Sequence, residues 1–526
     1  MGVVLLRMHK EDNRRTDEAQ RKTWFESQPK ISWLGHEYII LLVVGLIGYY
    51  LFKFYRNVSR YPKGPFPLPF IGNAHQITPY HLHEDFERFS KDYGDVFTIF
   101  IFGQPLVVLM RSEAIREAIV VKGENFVNRT GEFPEDVFQV VENGGIIFSS
   151  GDNWREQRRN ALHILRDFGV GRNLMEEQVH TQLEEFIDNI RSLKNKDSVD
   201  LNTPIQIVVS NVINKLLFGY SYPHNDSDRL VSYALTINNL FSEMFKSMLI
   251  LVCQIVPVAK KIPFIYQRAV GKHVDKMNWC LDFVKEDVKN CLKDYSKDDE
   301  PICFAQAYYQ KMDSNEYLNM ENLYNVCADF FMAGMETTTH TLRWAMLYLA
   351  ADPEMQTKLR AEIEEVCGKR LPSLKDKPKM PYTSAFLAEL QRACNLIPFN
   401  LQRKNTEETV IQGKTIPAGT CVVPQIHSIM SDPKLFPEPE KVKPERFLNE
   451  DGTFNTDLVS NVVPFGLGKR QCAGESLAKA ELFLGVTTFF QKYRVSVADG
   501  QETDLQPNYG TALYPKPHLY KLEEVN

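Results

Sequence analysis

The stretch Pro464–Glu475, PFGLGKRQCAGE, places one cysteine among three glycines and two cations near the end of a 526-residue chain. A single cysteine among reduced thiols is usually a small hydrophobic core residue. Here a helical pattern runs from Ser476 to Lys492, directly after the cysteine. A helix N-terminus and the free N–H groups of a loop favour the thiolate form of a nearby cysteine. The stretch therefore leaves two interpretations of Cys472, a small core residue or a functional thiolate, and the rest of the chain has to decide between them.

The composition excludes several classes of function. Hydrophobic residues make up 44% of the chain and charged residues 24%, which is ordinary for a globular protein. The net charge is −6 and no basic domain or long Lys/Arg run stands out, so nucleic-acid binding is not expected. The nine cysteines are scattered and contain no CxxC pair, which argues against a zinc ribbon or a disulfide framework. Reduced thiols facing the cytosol fit this pattern better.

Four segments are predicted along the chain. Residues 1–30 form a charged N-terminal extension, 31–60 a membrane anchor, 61–73 a proline-rich linker and 74–526 a large globular domain. Within the anchor, Tyr38–Phe52 contains no charged residue and reaches the length of a short membrane-spanning helix with its flanks. The four prolines of the linker resist helix formation and predict a stiff connector.

The charges on either side of the anchor conflict with the cysteine pattern. Seven Lys/Arg residues lie in the first thirty positions, against four between Lys53 and Lys63. The positive-inside rule would then place the N-terminus in the cytosol and the large domain on the other side of the membrane. Reduced cysteines favour the opposite orientation, so both orientations stay open on these grounds.

The large domain is predicted to be mainly α-helical with a small β portion, because most of its apolar residues repeat with a period near 3.6. Helices are predicted at Leu82–Asp92, Ser112–Val121, Trp154–Leu165, Met175–Leu193, Asp228–Leu251, Val270–Leu292, Asn319–Ala351, Pro353–Val366, Pro381–Asn395 and Ser476–Lys492, and strands at Val96–Phe102, Pro105–Leu109, Glu408–Ile411 and Thr420–Val423.

Phe465, Gly468, Arg470, Cys472 and Gly474 fall at the spacing FxxGxRxCxG, which resembles the haem-thiolate loop of the cytochrome P450 superfamily. The resemblance implies the cytochrome P450 fold, with haem b held between a long distal helix and the proximal cysteine loop. Cys472 would be the axial ligand of the haem iron, and Arg470 would face a haem propionate. The glycines would let the backbone approach the flat macrocycle, and Phe465 would shield the sulfur from water.

A second motif lies in the longest predicted helix, ADFFMAGMETTTH at Ala328–His340. Ala333, Gly334, Glu336 and Thr337 resemble the oxygen-activating motif of the same family. A glycine and β-branched threonines weaken a helix, so the sequence gives up helix stability here. Thr337 lies four residues after Ala333, where its hydroxyl can compete for that carbonyl and open a notch in the helix. The resemblance assigns the proton relay of oxygen activation to Thr337 and Glu336.

Further polar residues match family positions around the haem. Trp154 and Arg158, in the segment WREQR, would donate to the propionates. Arg403 occupies a position where many relatives carry a propionate-binding histidine or arginine.

A structural cluster is also expected. Glu389 and Arg392 lie three residues apart on one predicted helix face and can form a pair. Arg446 would complete the Glu-Arg-Arg cluster of the family, whose expected role is to brace the loop that carries Cys472.

The resemblance extends from Tyr61 almost to the C-terminus and is closest to the microsomal branch that handles drugs, steroids and fatty acids. Segments that contact substrate in this family are rich in large apolar side chains here, which suits a lipophilic ligand. The expected substrate-lining residues are Phe133, Phe138, Phe148, Phe241, Phe330, Ala333, Phe399 and Leu513.

The resemblance also implies partners. Electrons would come from NADPH-cytochrome P450 reductase, with cytochrome b5 as a possible second donor, at the membrane of the endoplasmic reticulum with the domain on the cytosolic side. The chain has no dinucleotide-binding glycine fingerprint after a strand, so NADPH would act only through the reductase. A basic docking face is predicted, with scattered solvated cations as the alternative. Its residues are Arg155, Arg158, Arg159, Lys469 and Lys479.

Three functions remain in competition. The first is a monooxygenase that inserts one oxygen atom of O2 into a lipophilic xenobiotic, fatty acid or steroid. The second is a haem-thiolate isomerase that needs neither O2 nor reductase; such relatives often lose the acid and alcohol that stand here as Glu336 and Thr337. The third is a non-enzymatic haem-based sensor, for which a proton relay is unnecessary.

Overall fold

The computed structural model describes residues 33–78, 81–131, 135–168, 173–246, 250, 253, 261–398, 400–509 and 512–525. The chain divides into two units, Met1–Arg60 and Tyr61–Asn526. In the described part of the first unit, helix α1 (Trp33–Val58) contains a 21-residue segment, Tyr38–Val58, that is long and apolar enough to cross a membrane. The expected extension at residues 1–30 lies outside the described residues.

The second unit is mainly α-helical with short strands, as predicted. Its helices are α2 (Leu82–Tyr93), α3 (Arg111–Arg116), α4 (Gly151–Asp167), α5 (Asn173–Ser192), α6 (Asn202–Phe218), α7 (Asp228–Lys246), α8 (Pro263–Tyr266), α9 (Lys272–Leu292), α10 (Phe304–Lys311), α11 (Met320–Ala351), α12 (Pro353–Cys367), α13 (Pro381–Cys394), α14 (His427–Met430), α15 (Thr456–Val459) and α16 (Glu475–Lys492). Its strands are β1 (Val96–Ile101), β2 (Gln104–Leu109), β3 (Val199–Asp200), β4 (Arg403–Lys404), β5 (Thr409–Ile411), β6 (Lys414–Ile416), β7 (Cys421–Pro424), β8 (Tyr493–Val497), β9 (Pro507–Asn508), β10 (Tyr514–Pro515) and β11 (Leu519–Glu524).

The strands form four small sheets. The largest has the order β1-β2-β7-β4, in which β2 and β7 are parallel and the other pairs are antiparallel. A second sheet has the order β3-β11-β8, and β5-β6 and β9-β10 are two-stranded. The sheet containing β4 fixes Arg403 against β7, whose Val422 is its partner in register.

The long helix α11 runs through the main hydrophobic core, between α6 and α16. Two glycines allow the close approach of these neighbours. A Cβ at Gly334 of α11 would lie 3.3 Å from the side chain of Ile213 in α6, and one at Gly485 of α16 would lie 3.2 Å from Leu342 in α11. The helix begins at Asn319, whose side chain caps it by accepting a hydrogen bond from the N–H of Asn322. Gly334 therefore serves helix packing as well as the predicted notch.

Helix α6 is absent from the sequence predictions. It is buried on nearly all sides and rich in isoleucine and valine, so its apolar residues show no single helical face. Helix α10 and the sheet β3-β11-β8 are also absent from the sequence predictions. The predicted helix Ser112–Val121 is α3 continued by a π-helical turn, Glu117–Val121. Asp228–Leu251 extends in part beyond the described residues.

Candidate active site

The Cys472 loop folds back on itself before α16 begins. The N–H of Cys472 donates to the Phe465 carbonyl over 2.9 Å, and the N–H of Gln471 donates to the Gly468 carbonyl over 3.0 Å. Gly468 has φ +70°, and a Cβ there would lie 2.2 Å from the carbonyl oxygen of Ile119. The loop therefore requires glycine at this position because of its backbone conformation and its contact with a neighbouring segment.

The thiol of Cys472 faces a cavity between the loop and α11. Cys472 retains accessible surface, and Phe465, Gly474 and Cys472 itself are among the residues that line the cavity. Burial raises the pKa of the thiol above its usual value, although the N–H of Gly474 and the Arg158 guanidinium lower it. A metal ion bound at this sulfur would favour its thiolate form.

The predicted relay residues of α11 do not share one environment. Thr337 and Ala333 line the cavity, and the Thr337 hydroxyl donates to the Ala333 carbonyl over 2.9 Å. Glu336 is buried and is not among the cavity-lining residues that the structure describes. Its Oε2 lies 3.3 Å from Nε2 of His340, on the side of α11 that faces β10.

Four arginines converge at the same cavity. Arg129, Arg158, Arg403 and Arg470 all line it. Burial, followed by repulsion from one another, lowers the pKa of Arg403 and Arg470, and burial is also the main cause of the lowered pKa values of Arg129 and Arg158. Because a guanidinium does not deprotonate in proteins, these lowered pKa values mean that the cluster is electrostatically unfavourable until it faces an anion.

Unpaired donors support the same conclusion. Nε and Nη1 of Arg403 and Nε1 of Trp154 are buried without a hydrogen-bond partner. The guanidinium of Arg470 lies 3.9 Å from the centre of the Trp154 ring and donates only to backbone carbonyls, those of Val127, Ile146 and Ser149. Buried donors normally find partners. The residues present therefore fit an anionic group such as haem b, which carries two propionates.

Arg129 was missed by the sequence analysis. It is buried and donates to the carbonyls of Ile147, Leu401 and Gln402, which ties three segments around the cavity. The sequence signal for Arg129 is the segment Phe126–Thr130, FVNRT. This segment resembles the family as a whole but does not single out the arginine.

Asp329 is a second missed residue. It lies one turn before Ala333 on α11, lines the cavity and accepts hydrogen bonds from the N–H groups of Ile146 and Ile147 at 2.6 and 3.0 Å. Burial raises its pKa to about 7, although both N–H groups and Arg470 lower it. The sequence signal that could have identified Asp329 is a charged residue in an otherwise apolar part of a predicted helix.

The three residues of the expected structural cluster lie together. Glu389 accepts from Nε and Nη2 of Arg392 at 2.7 and 2.8 Å, and from Nε of Arg446 at 3.1 Å. It also accepts from the N–H of Lys443 at 2.8 Å. Both arginines donate to the carbonyl of Lys441, so the cluster joins α13 to the segment that precedes the Cys472 loop.

The expected substrate residues fall into three groups. Phe330 and Ala333 line the cavity. Phe138 stacks on Phe148 with ring centres 5.4 Å apart, and Leu513 is buried, but these three pack in or against the hydrophobic core and are not among its described lining residues. Phe133, Phe399 and the side chain of Phe241 lie outside what the structure describes.

The cations of the predicted docking face are largely paired with nearby carboxylates. Arg155 contacts Asp152 at 2.8 Å, Arg159 contacts Glu156 at 2.6 Å and Lys479 contacts Glu475 at 2.6 Å. Lys469 pairs with Glu124, and Arg158 faces the cavity. This region is therefore close to charge balance, which favours the alternative of solvated surface cations.

Comparison with known proteins agrees with this geometry. The sequence profile of the cytochrome P450 family matches residues 62–522. The chain is 34% identical to cytochrome P450 2H2 of Gallus gallus over 93% of this chain and 99% of that protein. It is 33% identical to cytochrome P450 2E1 and 34% identical to cytochrome P450 2C23, both of Rattus norvegicus, each over 89% of this chain and 94% of the relative.

Proposed function

The chain belongs to the cytochrome P450 family of haem b monooxygenases, and we propose that Cys472 is its axial ligand and that NADPH-cytochrome P450 reductase supplies its electrons. The observation that carries the ligand proposal is the convergence of three features on one cavity. Cys472 lines this cavity, Arg129, Arg158, Arg403 and Arg470 line it as well, with unpaired buried donors on Arg403 among the described residues, and Thr337 lines it from α11.

Each of these residues has a defined task. Arg129, Arg158, Arg403 and Arg470 would hold the propionates of haem b by charge-assisted hydrogen bonds. Haem b, when bound, supplies the one-electron and O2 chemistry of monooxygenation. Cys472 would ligate the haem iron and supply electron density to it through its sulfur.

On α11, Thr337 presents its hydroxyl to the cavity, and Glu336 serves it as the neighbouring acid. Glu336 must rotate from its position beside His340 to reach Thr337 or a water bound to it. Proton delivery by positioned groups of this kind typically contributes about 10²–10⁴-fold to a rate. The presence of both groups favours a monooxygenase over an isomerase or a sensor.

The reduced, carbon monoxide-treated absorption spectrum tests the ligand proposal. We expect a strongly red-shifted Soret band for the wild type and its loss in Cys472→Ser, with haem still bound. Arg446→Lys, which keeps a cation in the structural cluster, controls for general disturbance of the loop. A wild-type band at the position of a neutral ligand would overturn the assignment of Cys472.

For the substrate, we propose a lipophilic small molecule of the fatty acid, steroid or xenobiotic class. The lining near α11 is largely apolar, with Phe330, Ala333, Ile213 and Leu216 among its residues. Apolar lining with few polar groups is typical of sites for such molecules. Screening these three classes with the reductase for hydroxylated products tests this proposal, and failure of all three would contradict it.

We also propose that α1 anchors the chain in the endoplasmic reticulum membrane with the catalytic domain in the cytosol. Support comes from the apolar segment Tyr38–Val58 and from the free thiols of the described domain. A cytosolic domain has access to the reductase and to cytochrome b5. Reconstitution with each purified partner tests these pairings: NADPH oxidation should require the reductase and should be modulated, at most, by cytochrome b5.

A further inference from the structure

Glu336 occupies an unusual electrostatic position for a relay acid. It is buried in α11, directly before Thr337, and neither of its carboxylate oxygens has a hydrogen-bond partner. A buried carboxylate without a partner is costly, so the groups nearest to it decide how it is held. The nearest basic group among the described residues is His340, one helical turn later, with Nε2 at 3.3 Å from Oε2 of Glu336.

The other nitrogen of His340 fixes where the ring proton sits. Nδ1 of His340 lies 3.1 Å from Nη1 of Arg343. A guanidinium can only donate hydrogen bonds, so Nδ1 must be the acceptor. The ring proton of the neutral imidazole is then on Nε2, the nitrogen that faces Glu336. Arg343 thus selects the tautomer whose N–H lies on the side of Glu336, although the two groups form no hydrogen bond in this structure.

The neighbouring hairpin holds this arrangement in place. The His340 ring stacks on Tyr514 of β10 with ring centres 5.1 Å apart, and Nη2 of Arg343 donates to the Pro515 carbonyl over 3.1 Å. Burial lowers the pKa of Arg343, and the nearby Asp200 of β3 opposes this shift. His340 and Arg343 therefore have little freedom, whereas Glu336 is bound loosely.

We propose that His340 is a positioning residue for Glu336. Its Nε2–H faces the carboxylate at 3.3 Å and attracts it to the β10 side of α11, close to Thr337 but outside the cavity, and the ring separates the carboxylate from Arg343 two turns along the helix. No proton leaves His340; Glu336 is released by rotation of its own side chain. This role rests on the proposed proton relay of Glu336 and Thr337.

The physical consequence concerns what happens when the imidazole is removed. In His340→Ala, Glu336 and Arg343 lie on one helix face with nothing between them, and their opposite charges attract in a buried site. The Glu336 carboxylate then forms a fixed ion pair with Arg343 and can no longer rotate to take part in the proton relay. In His340→Gln, an amide N–H remains able to hold Glu336, so the relay is preserved.

The functional test measures peroxide released per NADPH oxidised, with the reductase and lauric acid as a probe substrate. We expect His340→Ala to raise this ratio about three- to tenfold and His340→Gln to stay within twofold of the wild type. His273→Ala is the matched control, because it removes another buried imidazole, on α9, and should leave the ratio unchanged. His340→Leu replaces His340→Ala if the latter does not retain haem.

A second measurement does not depend on turnover. In protein labelled with ¹⁵N-histidine, reduced and bound to carbon monoxide, the His340 signals are those that disappear in His340→Gln. We expect a protonated Nε2 and an unprotonated Nδ1 near neutral pH, and a change at Nε2 in Glu336→Gln. Protonation at Nδ1 in the wild type would overturn the proposal.

The Thr337→Ala variant distinguishes a failure of the proposed proton relay from a failure of the proposed role of His340. If neither Thr337→Ala nor His340→Ala changes the peroxide ratio, the relay itself is wrong, and the role of His340 falls with it. If only Thr337→Ala raises the ratio, the relay stands and the positioning role of His340 is wrong.

Discussion

The hydroxyl of Thr337 donates to the carbonyl of Ala333 over 2.9 Å, four residues earlier in α11, and both residues line the cavity that Cys472 faces. The hydroxyl therefore shares the Ala333 carbonyl with the backbone N–H groups of α11. Gly334, the next residue, is where α6 packs closely against this helix. The sequence predicted the contact from the spacing of the two residues.

We predict that Thr337→Ala retains haem and its spectrum but releases more peroxide per NADPH oxidised, since the hydroxyl at the cavity is lost. The matched control is Thr339→Val. Thr339 makes the same bond, to the Met335 carbonyl over 2.8 Å, but it is buried and is not among the described cavity-lining residues. Equal peroxide yields from the two variants would contradict a special role for Thr337.

Glu389→Gln should strongly destabilise the protein. Gln cannot neutralise the two buried guanidiniums of Arg392 and Arg446, and breaking a buried ion pair of this kind costs about 3–5 kcal/mol. Urea unfolding followed by circular dichroism, together with the fraction of protein that retains haem, measures the effect. Glu438→Gln, at an exposed pair with Lys441, should leave the unfolding midpoint unchanged. A midpoint shift of similar size in both variants would argue against the bracing role.

Arg403→Gln should stabilise the haem-free protein but weaken the binding of haem. Removing one of four mutually repelling cations should stabilise the haem-free chain, because burial and the other arginines already oppose this charge. Loss of a charge-assisted hydrogen bond to a propionate should speed haem dissociation about tenfold or more. Haem transfer to apomyoglobin and thermal unfolding of the haem-free protein measure the two effects. If haem dissociation is unchanged, Arg403 does not bind a propionate.

The raised pKa of Asp329 predicts that the stability of the protein depends on pH. Its pKa is raised by burial to about 7, above its value in the unfolded chain, so the folded protein retains a proton that the unfolded protein loses. Its contribution to stability is therefore full at low pH and declines as pH rises towards 7. Between about pH 4.5 and 6.5, the slope of the free energy of unfolding against pH should be more negative in the wild type than in Asp329→Asn. The difference between the two slopes should be about 1.4 kcal/mol per pH unit.

The comparison of these two proteins by urea unfolding at several pH values checks the slope. Asn keeps an oxygen that can accept from Ile146 and Ile147, so the loop contact survives in the variant. Parallel pH profiles would show that Asp329 is ionised throughout this range.

A cytosolic catalytic domain predicts that the acceptor sequence at Asn225 stays unglycosylated in eukaryotic cells. Asn225 is exposed, so access does not limit modification on the lumenal side. Endoglycosidase treatment followed by gel electrophoresis should show no mass shift. A shift would place the domain in the lumen, as the charge distribution around the anchor suggests.

The sequence determined the chemistry of the site and most of the long helices. FxxGxRxCxG and AGMET are local patterns, so their resemblance to family motifs was enough to predict a loop at Cys472 and a helix at Ala333 and Thr337. Amphipathic helices were predicted to within a few residues for the same reason. Helix α6 was not, because a helix buried on nearly all sides has no polar face to reveal its period.

Tertiary structure alone decided which side chains share an environment. Glu336 follows the cavity-lining Gly334 by two residues, yet it faces β10 and His340, since helical rotation and the returning C-terminal strands set its neighbours. Arg129 joins Arg403 and Arg470 across more than two hundred residues of chain through a cavity that no local pattern describes. Residue identity fixes what a group can do, whereas burial and long-range packing fix the charges and donors it meets.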